Sequence, residues 1–409
     1  MLDPVRTNLR IAILCETFAP DMGYINTELP KFLAREGAEV HVVALDIPPY
    51  HKAADWAGQP PAFVAAQALP AGTNVLIEGF HVHILEHGTL GRYRYAKALR
   101  RCLGTIRPEV VYSLGAIGFL PLQAALNLPR FKYKLFTGNH TSAEAFPLAR
   151  EPRSAARGAR LAAFATRWLP GRLVSLCTEH CYCRTAGCAE IAREFFGVQQ
   201  HKLKVVPLGV DTEYFFPVSS ESERAQRHAL RAELGCAPDA IVCVNTGRMI
   251  ASKELQLLVD AIARLRAEGL DMRGLFIGDG PERARLAASK HCVVLPFMPW
   301  KQLARYYRAA DIAVWPAGES ISMFDATSCG LPLVVSDRID AHLQGNGLTF
   351  RAQDSEALAH ALRSLADPII RARMGAAGSQ QLRAGSSWEQ AARIRMRDFQ
   401  AALATRAGR

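Results

Sequence analysis

Between Ile312 and Ser336 the chain reads IAVWPAGESISMFDATSCGLPLVVS. This is a short apolar run (Ile312–Trp315), a Pro-Ala-Gly turn, a short helix closed by Gly330 and Pro332, and a second apolar run (Leu333–Val335). Two strands joined through a helix lie parallel, because the crossover must return over the sheet before the second strand can begin. The loop after the first strand then opens at the carboxyl edge of the sheet, where open α/β folds hold their ligands. Gly318, Ser320 and Ser322 fall in that opening, so hydroxyls and amide N–H groups gather where a helix N-terminus favours an anion. Asp325 follows within the first turn, where a carboxylate can accept hydrogen bonds from sugar hydroxyls beside the anion. An ordinary capped core helix is the plainer reading of the stretch taken alone.

The same alternation runs through the rest of the chain. Leu9–Cys15 reads as a buried strand, Thr17–Gly23 as the loop after it, Thr27–Glu36 as a helix with Pro30 early enough to be tolerated, and Ala38–Leu45 as a second strand. No G-x-G-x-x-G follows the first strand, which argues against a dinucleotide enzyme. Further strands are predicted at Val82–Leu85, Val110–Ser113 and Tyr133–Thr137, with a basic helix near Tyr93–Ile106. His140 lies just past the third of these, where a polar side chain points into the crevice unless it is merely structural. Val174–Cys188 holds Cys177, His180, Cys181, Cys183 and Cys188, but their spacing is irregular and reads as a strand running into a helix, so no metal is expected. After the strand Lys204–Pro207 comes a turn-rich crossing segment, Leu208–Pro217, then a polar, charged stretch from Ser219 to Glu233, and the domain boundary is placed near Pro207–Pro217.

A second alternating series begins at Ile241–Thr246. This strand runs into Gly247 and Arg248, then Ser252 as an expected N-cap, then a helix with Leu255, Leu258, Val259, Ile262 and Leu265 on one face. Arg248 and Lys253 therefore flank a small strand-to-helix loop, a place suited to holding a diphosphate with two cations. Gly274–Ile277 and Val293–Pro296 are the next strands, followed by a helix from Trp300 to Ala309, and the sequence closes with helices around Ser355–Leu365 and Trp388–Leu403. Surface charge is the competing reading of the two cations.

At 409 residues the chain exceeds one comfortable core, so two domains are expected. No apolar run reaches the roughly 18 residues of a membrane span, and the first residues lack a signal peptide's apolar core, which places the chain in the cytoplasm. Charge is uneven: between Arg92 and Arg172 fifteen Lys or Arg stand against three acids, so this segment holds all of the chain's net charge of +11. Arg150, Arg153, Arg157, Arg160 and Arg167 alternate with Leu161, Phe164 and Trp168, as an interfacial helix would. The expected partner is an anionic membrane surface or a phosphorylated acceptor, with a solvated helix face as the alternative, and nucleic acid is not expected.

Several patterns occur in a telling order: PDMGYINTELPKFLAREGAEVHVV, VVPLGVDTEYFFP, TGRMIASKELQLLVDAI, FIGDGP, YYRAADIAVWP and DATSCGLPLVV. Together they span nearly the whole sequence, and the chain resembles the family-four retaining glycosyltransferases (glycosyltransferase group 1 type). The resemblance implies an α/β fold of two facing Rossmann-like domains (GT-B), parallel sheets flanked by helices. It divides the chain into an acceptor-binding domain over 1–207, a nucleotide-sugar-binding domain over 208–385, and a C-terminal helix, 386–409, crossing back to the first domain. It implies transfer of a sugar from a UDP-sugar or GDP-sugar to a glycan or lipid-linked acceptor, with no metal or cofactor required, on or near the inner face of a membrane. Arg248 and Lys253 match the Arg and Lys that grip the donor diphosphate, beside Gly247. Asp325 falls where the family usually has a Glu on the donor ribose. Gly23 sits in the glycine loop near donor phosphates or acceptor, and His140 looks like the histidine beside the transferred sugar. Phe297 and Met298 lie in the segment whose backbone usually meets the nucleobase.

One departure stands out. The family commonly has Glu, seven residues, Glu, and counting back from Asp325 gives Ala317 at the first position, with Glu319 two residues later. Either the loop is reshaped so that Glu319 contacts the donor sugar, or that contact is missing. The flanking Gly318, Ser320 and Ser322 favour the first. A nucleotide-sugar epimerase of similar architecture and an inactive, glycosyltransferase-like scaffold subunit are the alternatives.

Overall fold

The computed structural model describes residues 8–48, 68–91, 93–141, 146–150, 157–339 and 343–407. They divide into two units, one of residues 8–48, 68–208 and 388–407, the other of residues 209–387. Arg92 and Arg153 of the basic segment lie outside the described residues.

The first unit is built on a sheet of eight strands. These are β1 (Arg10–Cys15), β2 (Glu39–Leu45), β3 (Asn74–Ile77), β4 (Phe80–Leu85), β7 (Val110–Ser113), β8 (Lys134–Asn139), β9 (Thr178–Cys183) and β10 (Leu203–Val205), with β5 (His87–Leu90) and β6 (Tyr93–Ala96) forming a separate hairpin. Their order is β10-β9-β8-β7-β1-β2-β4-β3, and every pairing in the sheet is parallel except β3 on β4. Ile11 is in register with Val40 on one side and Val110 on the other, so β1 is central and buried on both faces. That is why it reads as a continuous apolar run rather than an alternating one.

The helix Trp388–Ala407 belongs to this unit. Phe399 is fully buried with its ring 4.6 Å from that of Phe136, and the Asp398 carboxylate accepts from Lys204 Nζ at 2.7 Å and from Tyr182 Oη at 3.0 Å. Arg393 Nε donates to Glu36 at the end of the helix Ile25–Arg35.

The second unit carries six strands, all parallel. They are β11 (Ile241–Arg248), β12 (Met272–Asp279), β13 (Cys292–Leu295), β14 (Ile312–Trp315), β15 (Leu333–Ser336) and β16 (Gly347–Phe350), in the order β13-β12-β11-β14-β15-β16. Helices cover both faces over two apolar cores, one holding Trp315, Tyr307 and Val244, the other Phe276, Ile262 and Leu358.

Two local expectations change, at Tyr93–Ile106 and Ser252, and the charged stretch after Ser219 gains a structure. Tyr93–Ile106 is not one helix: Tyr93–Ala96 pairs antiparallel with His87–Leu90, and the helix spans only Leu99–Ile106. The alternating Tyr-Arg-Tyr has strand period, and Tyr95 lies against Gly88 where no side chain stands in its way. The charged stretch after Ser219 is the helix Glu221–Glu233, begun by a reciprocal capping box between Ser220 and Glu223. Ser252 is not an N-cap. Ala251–Lys253 makes a 3₁₀ turn, Glu254 takes a left-handed φ of 51°, and the helix Gln256–Ala267 starts without a side-chain cap.

Candidate functional site

In the second sheet the chain leaves β11 toward β12 and β13 on one side and resumes at β14 on the other. The strand order therefore reverses between β11 and β14, and the loops after these two strands meet at their carboxyl ends, the place where open α/β sheets bind ligands. Asn245 Nδ2 ties the two strands by donating to the carbonyl of Val314 at 2.7 Å, and Thr246 Oγ1 lies 2.6 Å from Tyr307 Oη beneath them.

Arg248 is the last residue of β11, half-buried, preceded by Gly247 at a φ of 131°. The neighbouring Gly278 of β12 packs so closely that a Cβ there would meet the Gly247 carbonyl oxygen at 1.8 Å. The tight turn after β11 then carries Lys253 across to the other loop, where Nζ donates to the backbone carbonyl of Glu319 at 3.4 Å. Gly318 supplies the left-handed φ of 71° that the loop needs at that point. Ser320 Oγ accepts the Ser322 N–H at 3.3 Å, opening the seven-residue helix Ser322–Ser328. Lys253, Gly318, Glu319, Ser320 and Ser322 are thus gathered in one loop pair, with Arg248 at the end of the adjoining strand.

Asp325 is placed differently from its neighbours. It is 2% exposed and accepts from Trp300 Nε1 at 2.9 Å. Burial pushes its carboxyl up to about 7, the Trp300 hydrogen bond pulls in the opposite direction, and Asp211 adds to the rise. Phe297 and Met298 follow β13, two strands away from β11, and lead into Trp300. Trp300 and Asp211 were not singled out from sequence. The bond to Asp325 spans 25 residues, and nothing in local spacing announces it.

In the first unit the order reverses between β1 and β7, and Gly23 lies buried in the loop after β1 with a φ of 65°. Asn26 Nδ2 secures that loop by donating to the Thr17 carbonyl at 2.7 Å. The helix that follows buries two ionisable residues, Glu28 and Lys31, 3.9 Å apart, which an amphipathic reading of its sequence does not foresee. His140 stands just past β8, and both of its ring nitrogens are buried with no hydrogen-bond partner among the described residues. Burial, with Arg395 and Arg184 nearby, pushes its pKa down to about 3, so the imidazole is neutral.

Cys181, Cys183 and Cys188 pack with Phe146 and Ile191 in an apolar cluster, and all ten thiols are free. Among the described residues no three His, Cys, Asp or Glu side chains are grouped to hold a metal ion, and no helix is long and apolar enough to cross a membrane.

Comparison with known proteins bears on the family and the fold. Residues 24–214 match the family model "Glycosyltransferase Family 4" and residues 240–367 match "Glycosyl transferases group 1". Over 230 residues the chain is 31% identical to the D-inositol 3-phosphate glycosyltransferase of Geodermatophilus obscurus, covering 50% of this chain and 49% of that protein. It is 28% identical over 223 residues to the GDP-mannose-dependent alpha-(1-6)-phosphatidylinositol dimannoside mannosyltransferase of Mycobacterium tuberculosis, covering 50% and 57%. The matches thus span about half the length of these relatives. Among solved structures, Anabaena HepE in complex with UDP-glucose superposes with a TM-score of 0.66 at 15% identity, over 97% of this chain and 100% of that one, which establishes the shared fold.

Proposed function

We propose, starting from the membership of this chain in the family 4, group 1 glycosyltransferases, that it moves a sugar from a nucleoside diphosphate sugar to a glycan or lipid-linked acceptor with retention of configuration. The observation that carries this reading is Lys253 held against the Gly318–Ser322 loop, with Arg248 ending the adjoining strand β11, at the switch point of the second sheet. A leaving nucleoside diphosphate gains negative charge as the glycosidic bond breaks, and preorganised donors that strengthen with that charge lower the barrier. In this reading Arg248 and Lys253 hold the diphosphate, Gly247 and Gly318 let the backbone approach it, and Ser320 and Ser322 add hydroxyl and amide donors. Glu319 takes the donor sugar in place of the carboxylate that Ala317 lacks. Asp325, seated by Trp300, faces the ribose, Phe297 and Met298 meet the base, and Gly23 and His140 serve the sugar and acceptor. A neutral His140 fits a group that accepts or donates one hydrogen bond to a sugar hydroxyl.

Glycosidases that retain configuration use two carboxylates about 5 Å apart. The chemistry assigned here needs none. The acceptor hydroxyl attacks from the face the leaving group departs, and the departing phosphate oxygen takes its proton. UDP-sugars and GDP-sugars are the donor class, since the mycobacterial relative is GDP-mannose-dependent and HepE holds UDP-glucose. Incubating the purified protein with UDP-glucose and GDP-mannose tests the reaction class. Slow release of free sugar and nucleoside diphosphate is expected. An isomerised donor would make the protein an epimerase, and an untouched panel of donors would make it a scaffold.

The acceptor side is assigned to an anionic membrane surface. Leu161 and Phe164, then Leu169, Leu173 and Leu176, are exposed on the helical stretch 157–177, where they interleave with Arg160, Arg167 and Arg172. Apolar side chains among arginines suit an interface that is both oily and negatively charged, and the mycobacterial relative's name carries a phosphatidylinositol dimannoside. Flotation is expected with vesicles containing anionic lipid and not with neutral ones. Equal recovery with both would remove this assignment.

A further inference from the structure

The second unit holds a cavity of about 750 Å³ whose walls are the helices Glu221–Glu233 and Pro368–Gly385, the end of the helix Leu303–Ala309, and the turn Cys329–Pro332. Asp311 precedes β14 and Pro332 precedes β15, so the cavity lies at the amino edge of the sheet. Arg248 and Glu319 belong to the opposite, carboxyl edge.

Its lining is strongly cationic. Arg224, Arg227, Arg308, Arg371 and Arg383 contribute five guanidinium groups, and Asp311 is the one carboxylate among the lining residues. That carboxylate already serves Arg227 at 2.6 Å and, behind the wall, Arg231 at 2.9 Å. Four of the arginines are held by backbone carbonyls, Arg224 Nη1 by that of Ser219 at 3.2 Å. Arg227 Nη1 donates to Ala310, Arg308 Nη1 to Tyr214 at 3.1 Å, and Arg371 Nη1 to Leu365 and Ala366, both at 2.7 Å. Carbonyl bonds fix a guanidinium in place and leave its charge uncompensated. With Asp311 offsetting Arg227, five guanidinium groups against one carboxylate in the lining still raise its potential and disfavour the empty state.

Part of the remaining wall is apolar, from Pro217, Leu331 and Pro332, beside the polar His228, Ser379 and Gln380. A bare inorganic ion has no use for such a surface, whereas the ring of an organic phosphate does. The volume is in the range of small-molecule sites.

We propose that this cavity is a second ligand site, separate from the one assigned to the donor, which takes a phosphorylated small molecule of nucleotide size. Its phosphates lie against the arginines and its ring against the prolines and Leu331. Arg227, Arg308 and Arg371 form the fixed floor, and the exposed Arg224, tethered to the Ser219 carbonyl, and Arg383 meet the anion from the rim.

ATP, with inorganic pyrophosphate in parallel, is the probe, and the thermal midpoint of the full chain at matched ionic strength is the readout. A saturable rise with ATP is expected, reached at lower concentration than with pyrophosphate, and retained in R248A/K253A, which separates this site from the donor site. In R224Q/R383Q the apparent affinity for ATP falls by roughly tenfold or more, from the loss of charge-assisted hydrogen bonds. Ala376→Trp, which fills the cavity without changing its charge, has the same effect. The proposal is overturned if ATP gives no saturable rise, if the rise disappears in R248A/K253A, or if both R224Q/R383Q and A376W bind ATP as the wild type does.

Discussion

At the scale of single residues, two buried groups titrate in opposite directions and so give separable predictions. Asp325 is held at about 7 against roughly 3.9 in an unfolded chain. The folded state therefore binds more protons between these values, and stability falls as pH rises from about 4 to about 7. The span corresponds to on the order of 4 kcal/mol. Asp325→Asn should flatten that decline, which denaturant unfolding at pH 5, 6, 7 and 8 would measure; equal slopes in the two proteins would mean the carboxyl is not held protonated. His140 is pushed down to about 3, so folding opposes its protonation and stability is lost as pH falls below about 6.5. Its neutrality also means that the pH profile of turnover between pH 5 and 8 should carry no limb from this imidazole, and His140→Gln should leave the profile's shape unchanged while lowering its height.

How much of the site could be read from the sequence follows from the range of the interactions. Arg248 and Lys253 flank one short loop, and the residues between them point to that loop without help from the fold. Trp300 is invisible to such reading because its partner lies 25 positions away. The buried Glu28 and Lys31 are missed for a related reason: their neighbours come from elsewhere in the fold, and helical periodicity places charges outside.

At the scale of elements, the central parallel strands were readable because doubly covered strands are apolar throughout, whereas β3, β5, β6 and β16, short and at sheet edges or in a separate hairpin, were not. Nor was the helix Pro368–Gly385. Gly375 and Gly378 look like breakers in the sequence, yet a Cβ on Gly375 would meet the Gly330 carbonyl oxygen at 1.8 Å, so the glycines are there for close packing. Gly278 plays the same part between β12 and β11. Gly278→Ala must displace the Gly247 carbonyl, at a cost of about 1–3 kcal/mol, and it moves the strand end that carries Arg248. A lowered thermal midpoint together with weaker nucleoside diphosphate binding is expected. A destabilised protein with unchanged binding would show that the end of β11 does not position the ligand.

At the scale of the whole molecule, the last helix decides whether the first unit stands. Phe399 packs among Phe136, Tyr112 and Tyr182, and Asp398 pairs with Lys204. Phe399→Ala should destabilise the first unit by about 3–5 kcal/mol, read as a shift of its unfolding transition while that of residues 209–387 stays in place. A shift confined to the second unit would contradict this assignment. The charge distribution belongs to this scale too, because vesicle binding through the basic first unit should weaken as ionic strength rises.

The central claim is that Lys253 and Arg248 stabilise the charge of a departing nucleoside diphosphate. The most direct test is the initial rate of nucleoside diphosphate release from the donor that the wild type consumes, compared with Lys253→Ala of unchanged near-UV circular dichroism. Loss of a charge-assisted contact that strengthens in the transition state should lower turnover well over tenfold, roughly 1.4 kcal/mol per decade. A folded Lys253→Ala protein that turns over at the wild-type rate would contradict the account.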